Sequence, residues 1–437
     1  YNELGSHDWR FSNKIHSAFS DKQGNLWMCT HSKGLEKVTF RTERFHLLFL
    51  VNHSYESLSN EVRALCEDKD GNMWVGLKDG MLRVYDRNRN EIGYLTETGT
   101  VAKSGKPLFG NTYYVMQDSK DNLWIATKGA GVVKAEPMPG KLRYRLTRYR
   151  YSADDVYSLS DDNVYCIYED RQGRIWMATF ANGVSYLTRD AEGKEIFISH
   201  RNNLKNFPIK YCSKVRCITG DSKGHLWIGT TVGLLMVNDG FERPEDARFY
   251  HYLRAPEKAN ALSNNDIHWI KPTRKGELYV ATFGGGLNQL VDLNDGGQAR
   301  FKAYTVRDGL PSDILLSIQE DKKGQLWIST ENGLSKFTPD LERFENFQNK
   351  YSNSSIRFSE AASAYASDGD MLFGTNHGIF YFNPDSIQKS IYVPPIVLSQ
   401  LLLANERVSP GEHSLLKRTL DAVDELQLSH RENIFTI

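Results

Sequence analysis

The sequence predicts an all-β protein, a β-propeller of four-stranded blades, and three observations predict it. One pattern, Asp-x-x-Gly-x-Leu-Trp-Ile-Gly-Thr followed shortly by Gly-Leu, recurs along the chain: DKQGNLWMCT from Asp21, DKDGNMWVGL from Asp68, DSKDNLWIAT from Asp118, DRQGRIWMAT from Asp170, DSKGHLWIGT from Asp221 and DKKGQLWIST from Asp321. Two degenerate copies add TRKGELYVAT from Thr273 and ASDGDMLFGT, with Tyr279 and Leu372 in the Trp place. The period is that of a propeller blade: Trp27, Trp74, Trp124, Trp176, Trp227, Tyr279, Trp327 and Leu372 lie 47, 50, 52, 51, 52, 48 and 45 residues apart. Finally, 34 glycines and 12% aromatics, without long apolar helical stripes, suit many short strands joined by tight turns.

Each copy resolves into four strands. The apolar run before the Asp, as in VRALCED from Val62, VYCIYED from Val164 and VRCITGD from Val215, is the innermost strand, A. Asp-x-x-Gly is the hairpin turn, where Gly accepts positive φ and the carboxylate bonds nearby backbone N–H groups. Strand B is LWIGT, whose Trp fills the wedge between blades. A second turn leads to strand C, as in GLEKVTF from Gly34 and GLSKF from Gly333, and the aromatic stretches RYRLTRYRY from Arg143 and RFKAYTV from Arg300 are outer strands D. A lone blade cannot bury both faces, so neighbours stack and the ring closes, removing the free edge. The repeated Asp and Trp are therefore structural, and no chemistry is assigned to them.

These copies, led into by SLSNEV (Ser57), SLSDDNV (Ser158), ALSNNDI (Ala261) and DGLPSDI (Asp308), resemble the two-component regulator propeller repeat. That repeat forms the periplasmic sensor of hybrid two-component systems in glycan-degrading bacteria. The stretch from Arg307 to Pro384 is similar to the family's last two blades, and YVPPIVLSQLLLANERVSP…LQLSHRENIFTI resembles the opening of the β-sandwich that follows. The resemblance implies a seven-bladed ring, with about eight repeats in the chain, and then the first strands of an Ig-like β-sandwich. Residues 51–393 are expected to form the propeller and 394–437 a truncated start of the sandwich. Residues 1–50 are a blade or part-blade, either of this ring or of a preceding one. The implied function is extracytoplasmic: the periplasmic portion of an inner-membrane protein, a hybrid histidine kinase and response regulator that senses an oligosaccharide and regulates glycan-utilisation genes. Membrane tether and kinase lie in other parts of such proteins, and homodimerisation through ectodomain and sandwich is implied.

Composition argues against other classes. Lys plus Arg total 54 and Asp plus Glu total 54, so no global positive field favours nucleic acid or an anionic membrane. No stretch approaches the roughly 20 apolar residues that span a bilayer, and Tyr1 opens the chain without a signal peptide, as an excised ectodomain would. Cys29, Cys66, Cys166, Cys212 and Cys217 lack metal-ligand spacing and read as small buried hydrophobes.

The A–B turns gather on one face, and the B–C turns and D–A loops on the other. The second face varies from blade to blade and is the expected ligand face. Its B–C turns offer His31, Lys33, Lys78, Asp79, Lys128, Phe180, Asn182, Phe283, Glu331, Asn332, Asn376 and His377. The D–A loops add Asn60, Glu61, Asn163, Asn264, Asn265, Asp266 and His268. Amides and charges bond sugar hydroxyls, rings stack on pyranose C–H faces, and Lys33, Lys78 and Lys128 can meet uronate or sulfate. Taken singly, each of these is more often an ordinary solvated turn residue. His31, His268 and His377 come from separate blades without paired spacing, so neither a metal nor another cofactor is expected. No catalytic residue is assigned. A sialidase-like box needs Asp five residues before Trp, whereas Asp21 precedes Trp27 by six, and no motif marks the carboxylate pair of a glycosidase. A scaffold for dimerisation or protein docking is the alternative reading.

Overall fold

The structure, a computed structural model, describes residues 14–21, 25–31, 34–39, 45–50, 58–104, 108–258, 260–347, 356–387, 398–423 and 425–436. Seven antiparallel sheets follow one another, each ordered from strand A inward to strand D outward. Their A strands are Val62–Glu67, Asn111–Gln117, Val164–Glu169, Val215–Gly220, Ile267–Pro272, Leu315–Glu320 and Phe358–Tyr365, which begin blades 1 to 7. Consecutive A strands pack side by side, and that of blade 7 packs against that of blade 1, so the ring is closed.

Closure uses a strand from before the first blade. His46–Leu48 pairs with Gly378–Phe382 and supplies the outermost strand of blade 7. The ring therefore reaches back before residue 51, into the 1–50 segment that the sequence leaves open between this ring and a preceding one. The physical reason is the edge: without this strand, strand C of blade 7 would present an open ladder. Leu48 O lies 2.1 Å from where a Cβ on Gly378 would stand, and Arg83 Nη1 donates to Leu50 O at 2.8 Å, fixing the incoming segment to blade 1. The first repeat forms a separate three-stranded sheet, Ile15–Ser20, Asn25–Thr30 and Gly34–Thr39, whose first strand is fully exposed. Cys29 is exposed there, unlike the buried Cys166, Cys212 and Cys217 and the half-buried Cys66.

The repeat motif is a hydrogen-bonding unit. In each of the six full copies one Asp oxygen accepts the Trp indole N–H, at 2.8 Å for Asp21–Trp27, 2.9 Å for Asp68–Trp74, 2.7 Å for Asp118–Trp124, 2.8 Å for Asp170–Trp176, 2.8 Å for Asp221–Trp227 and 3.0 Å for Asp321–Trp327. The other oxygen holds the turn: Asp68 Oδ1 accepts the backbone N–H of Asp70 and Asn72 at 3.0 and 2.8 Å. A buried indole N–H without an acceptor is costly, so Asp and Trp are kept together. Blade 7, with Ala366 and Leu372, drops both partners at once. The motif tryptophans of the ring, Trp74, Trp124, Trp176, Trp227 and Trp327, are 0–1% exposed.

The terminal Thr of the motif has a matching role. Thr127, Thr179, Thr230, Thr282, Thr330 and Thr375 donate their hydroxyls to the carbonyl of the glycine that opens or precedes strand C, at 2.8–2.9 Å. Blades are also latched to each other beside the Asp turns. Glu169 of blade 3 accepts Ser119 N and Oγ of blade 2 at 2.7 and 2.6 Å. Across the seam, Glu67 of blade 1 accepts Ser367 N and Oγ of blade 7 at 2.6 and 2.7 Å.

The chain divides into two units after Ser386. In the second, Leu402–Leu403 pairs with Glu406–Arg407 and with Phe435–Thr436 over a small core of Leu401, Leu416 and Leu420. The hairpin turns on Ala404 and Asn405, both at positive φ, which suits strand twist. Strands Leu402–Leu403, Glu406–Arg407 and Phe435–Thr436 are the described β-structure of the segment expected to open a sandwich.

Candidate ligand-binding site

The B–C turns and the D–A loops share one end of the ring: Lys78, Phe180, Phe283, Glu331 and Asn376 donate their backbone N–H to Glu61, Asn163, Asp266, Ile314 and Arg357, which precede strand A. At this end the register of strand A slips against strand B, between Val62 and Ala64, Thr112 and Tyr114, Val164 and Cys166, Val215 and Cys217, Ile267 and Trp269, and Leu315 and Ser317. The extra residue of each bulge is Arg63, Tyr113, Tyr165, Arg216, His268 and Leu316 in turn. A bulge re-aims its side chain, and here it places a set of side chains at the B–C and D–A end of the ring, its mouth. In three blades the bulged residue meets the residue fifteen positions on, in the B–C turn, and the separate first sheet, bulged between Ile15 and Ser17, repeats the pairing. Thus His16 stacks on His31 at 5.5 Å, Lys128 lies over Tyr113 at 5.9 Å, Tyr165 stacks on Phe180 at 4.4 Å, and His268 meets Phe283 at 5.1 Å.

The mouth is continuous through several blades. Arg63 lies 5.7 Å from the Tyr113 ring, Tyr113 4.6 Å from Tyr165, and Phe180 carries Arg216 and Lys214 at 5.3 and 5.7 Å. Arg216 pairs with Asp266 through Nε and Nη2 at 3.0 and 3.3 Å. From the far side of the ring, Glu360 of blade 7 reaches Arg216 Nη1 at 3.2 Å. Burial pushes the Tyr165 hydroxyl up to about 12, helped by Tyr113 and the Glu360 carboxylate. Burial also holds the His268 imidazole below its usual value, with Arg216 adding to the effect and Glu360 and Asp266 opposing it. Its ring is 3% exposed and neither nitrogen makes a side-chain hydrogen bond. Across the ring, Tyr114 of blade 2 and Trp269 of blade 5 approach to 6.4 Å, and burial raises the thiols of Cys66 and Cys166 to about 12, as expected of inert packing groups.

The residues selected from sequence divide into two groups. Phe180, His268, Phe283 and Lys128 join the mouth. Lys78 is tied up by Glu61 at 2.8 Å, which also binds Arg63 at 2.6 Å. Asp79 accepts Met81 N at 2.9 Å, Asn182 Nδ2 is within 3.4 Å of Asp161, Asn332 donates to Pro311 O at 3.2 Å, and Asn376 accepts Arg357 N at 2.8 Å, so these serve their own turns. Glu331 is exposed and His377 is buried, its backbone N–H bonded to Thr375 Oγ1 at 3.1 Å. His31 belongs to the separate sheet, not to the ring, and Lys33 lies outside the described residues. Arg63, Tyr113, Tyr165, Arg216 and Glu360 were not singled out from sequence. The signal available was the bulged position near the start of strand A, which changes from blade to blade among Arg, Tyr, His and Leu.

The sequence profile described as two component regulator propeller matches residues 57–79, 158–181, 212–231 and 309–332. The ring is therefore similar, in four of its blades, to the two-component regulator propeller repeat. Its matched stretches each join a D–A lead-in, a bulged strand A and the Asp–Trp hairpin, or part of that run. Along its length the chain is 22% identical over 441 residues to histidine kinase P4 of Formosa agariphila, covering 99% of this chain and 30% of that protein. The chain thus spans well under half of that relative. Among solved structures, the extracellular domain of a hybrid two-component system from B. thetaiotaomicron superposes with a TM-score of 0.68 at 24% identity, over 96% of this chain and 52% of that one. Virginiamycin B lyase from Staphylococcus aureus superposes with a TM-score of 0.54 at 13% identity, over 77% of this chain and 98% of that one. These likenesses show the propeller fold.

Proposed function

We propose that this propeller is the extracytoplasmic ligand-sensing region of a hybrid two-component sensor and that its ligand is an oligosaccharide bound at the mouth. Similarity to the named histidine kinase and to an extracellular two-component domain supports the sensing role. The observation that carries the ligand class is Phe283: its ring, 46% exposed, stands over His268 at the rim and offers a free aromatic face to a pyranose. Around it the mouth supplies the Tyr113 and Tyr165 hydroxyls and the charges of Arg63, Lys128, Lys214 and Arg216, groups that bond sugar hydroxyls. Lys128 and Lys214 have aromatic rings as neighbours and no ion pair among the described residues, which leaves two cations for acidic substituents. Binding would favour one arrangement of the ectodomain over another, and the kinase of the full-length protein would carry that difference to glycan-utilisation genes.

Isothermal titration against neutral and acidic oligosaccharides tests the reading, with the incubated sugars then analysed by chromatography. Saturable heat without turnover is expected, and Phe283→Ala should weaken binding about tenfold, near the loss of one stacking contact. Released product would instead make the ring an enzyme, and silence across a broad panel would leave the scaffold reading.

A further inference from the structure

Arg216 is anchored from one side and occupied from the other. Asp266, just before strand A of blade 5, holds Nε and Nη2 in a two-pronged contact and fixes the guanidinium plane. The remaining Nη1 meets Glu360, 144 residues away in sequence, on the opposite side of the mouth. The two contacts differ in what supports them. Glu360 sits on the widest bulge of the ring: Phe358 pairs with Thr375 and the next pair is Ser363 with Phe373, so five steps on one strand (363 − 358) match two on the other (375 − 373). Within this bulge Ala361 has φ 58°, a left-handed conformation that strains an alanine. The Glu360 side chain is 44% exposed against 18% for Arg216. An exposed carboxylate on a strained bulge is displaceable, while Asp266 keeps Arg216 in place without it.

A second cation faces the same place, because Lys214 and Arg216 both lie over the Phe180 ring. We propose that Glu360 occupies the position of a ligand carboxylate, and that the oligosaccharide recognised at this mouth bears a uronate, which replaces Glu360 on Arg216 Nη1 with Lys214 as the second positive partner. This rests on the reading of the mouth as a glycan site and adds the chemical class and the residue that selects it. Displacement frees the blade 7 bulge, on the blade completed by His46–Leu48.

Titration of wild type, Glu360→Gln and Arg216→Lys with a uronate-containing oligosaccharide and with its carboxyl-reduced counterpart decides the matter. Removing the internal competitor in Glu360→Gln should tighten the uronate ligand about five- to tenfold and leave the reduced one unchanged. Losing the forked geometry in Arg216→Lys should weaken the uronate ligand about tenfold or more. Unchanged uronate affinity in Glu360→Gln, or equal binding of the reduced counterpart, overturns this inference while the glycan reading stands. Absence of heat from every sugar, acidic or neutral, with all three proteins overturns the glycan reading and the inference together.

Discussion

The Asp118 carboxylate accepts the Trp124 indole N–H at 2.7 Å and also holds the backbone N–H groups of Lys120 and Asn122 at 2.9 and 2.8 Å, so one side chain fixes both the hairpin and the wedge between blades. With the Asn122 side-chain amide, which donates at 2.9 Å, Asp118→Ala strips four donors of their acceptor, three of them in buried bonds. It should lower stability by about 2–4 kcal/mol, read from urea unfolding. A change below about 0.5 kcal/mol would mean that the motif is dispensable.

Position 121 breaks the motif's own rule, with Asp121 at φ 70° where other copies carry glycine. Asp121→Gly should raise stability by about 0.5–1 kcal/mol, because only the left-handed penalty is removed and the Lys69 ion pair lost with it is exposed. A lowered unfolding midpoint would count against this reading of the turn.

Gly378 stands at φ 119° with the carbonyl of Leu48 directly behind it. Gly378→Ala should push the closing strand away at a cost of about 2–3 kcal/mol. Amide exchange at Leu48 and Ile379 should rise well before that in blades 2 to 5; uniform acceleration round the ring would contradict the role given to this seam.

His268 is held neutral by burial, and the charged groups facing it are Arg216, Asp266 and Glu360. Below the ordinary value of about 6.5 the unfolded chain takes up a proton that the folded form resists, so stability is complete above that pH and falls as the pH drops beneath it. His268→Gln should flatten this slope in denaturation midpoints measured at pH 8, 6.5 and 5. Parallel curves for variant and wild type would remove the residue from the account.

Burial alone would raise the Asp221 carboxyl, but hydrogen bonds from His225 and Trp227 outweigh it and bring the value down to about 2. Its stabilising effect is therefore present above the ordinary carboxylate range and is lost as pH falls toward 2. His225→Ala, which removes the largest of those bonds, should move acid unfolding to higher pH in a circular dichroism titration, and an unmoved midpoint would refute the coupling.

Much of this was legible in the sequence, and the exceptions share a cause. The blade period, the Asp turn and the Trp wedge follow from short-range patterns, and the variable face was correctly read as the B–C and D–A end. The bulges were not visible, because Arg63, Tyr113, Tyr165 and Arg216 sit inside apolar runs such as VRALCED and VYCIYED, where alternation assigns them to an ordinary strand face. No glycine or proline marks the slip. The closing strand His46–Leu48 is three residues long and carries no motif, and its partner is a third of a thousand residues downstream. Glu360 on Arg216 is a contact between distant blades, beyond the reach of any local rule.

One consequence of the closing strand concerns mechanics. The polypeptide arrives at the disc through the rim of blade 7 and departs from the adjoining strand of that same sheet, Gly378–Phe382, so tension between the two flanking segments is borne by the few hydrogen bonds joining them. The other six blades are shielded from that load. A disc built this way yields first at one place, and the blade that yields is the one whose Glu360 touches the mouth.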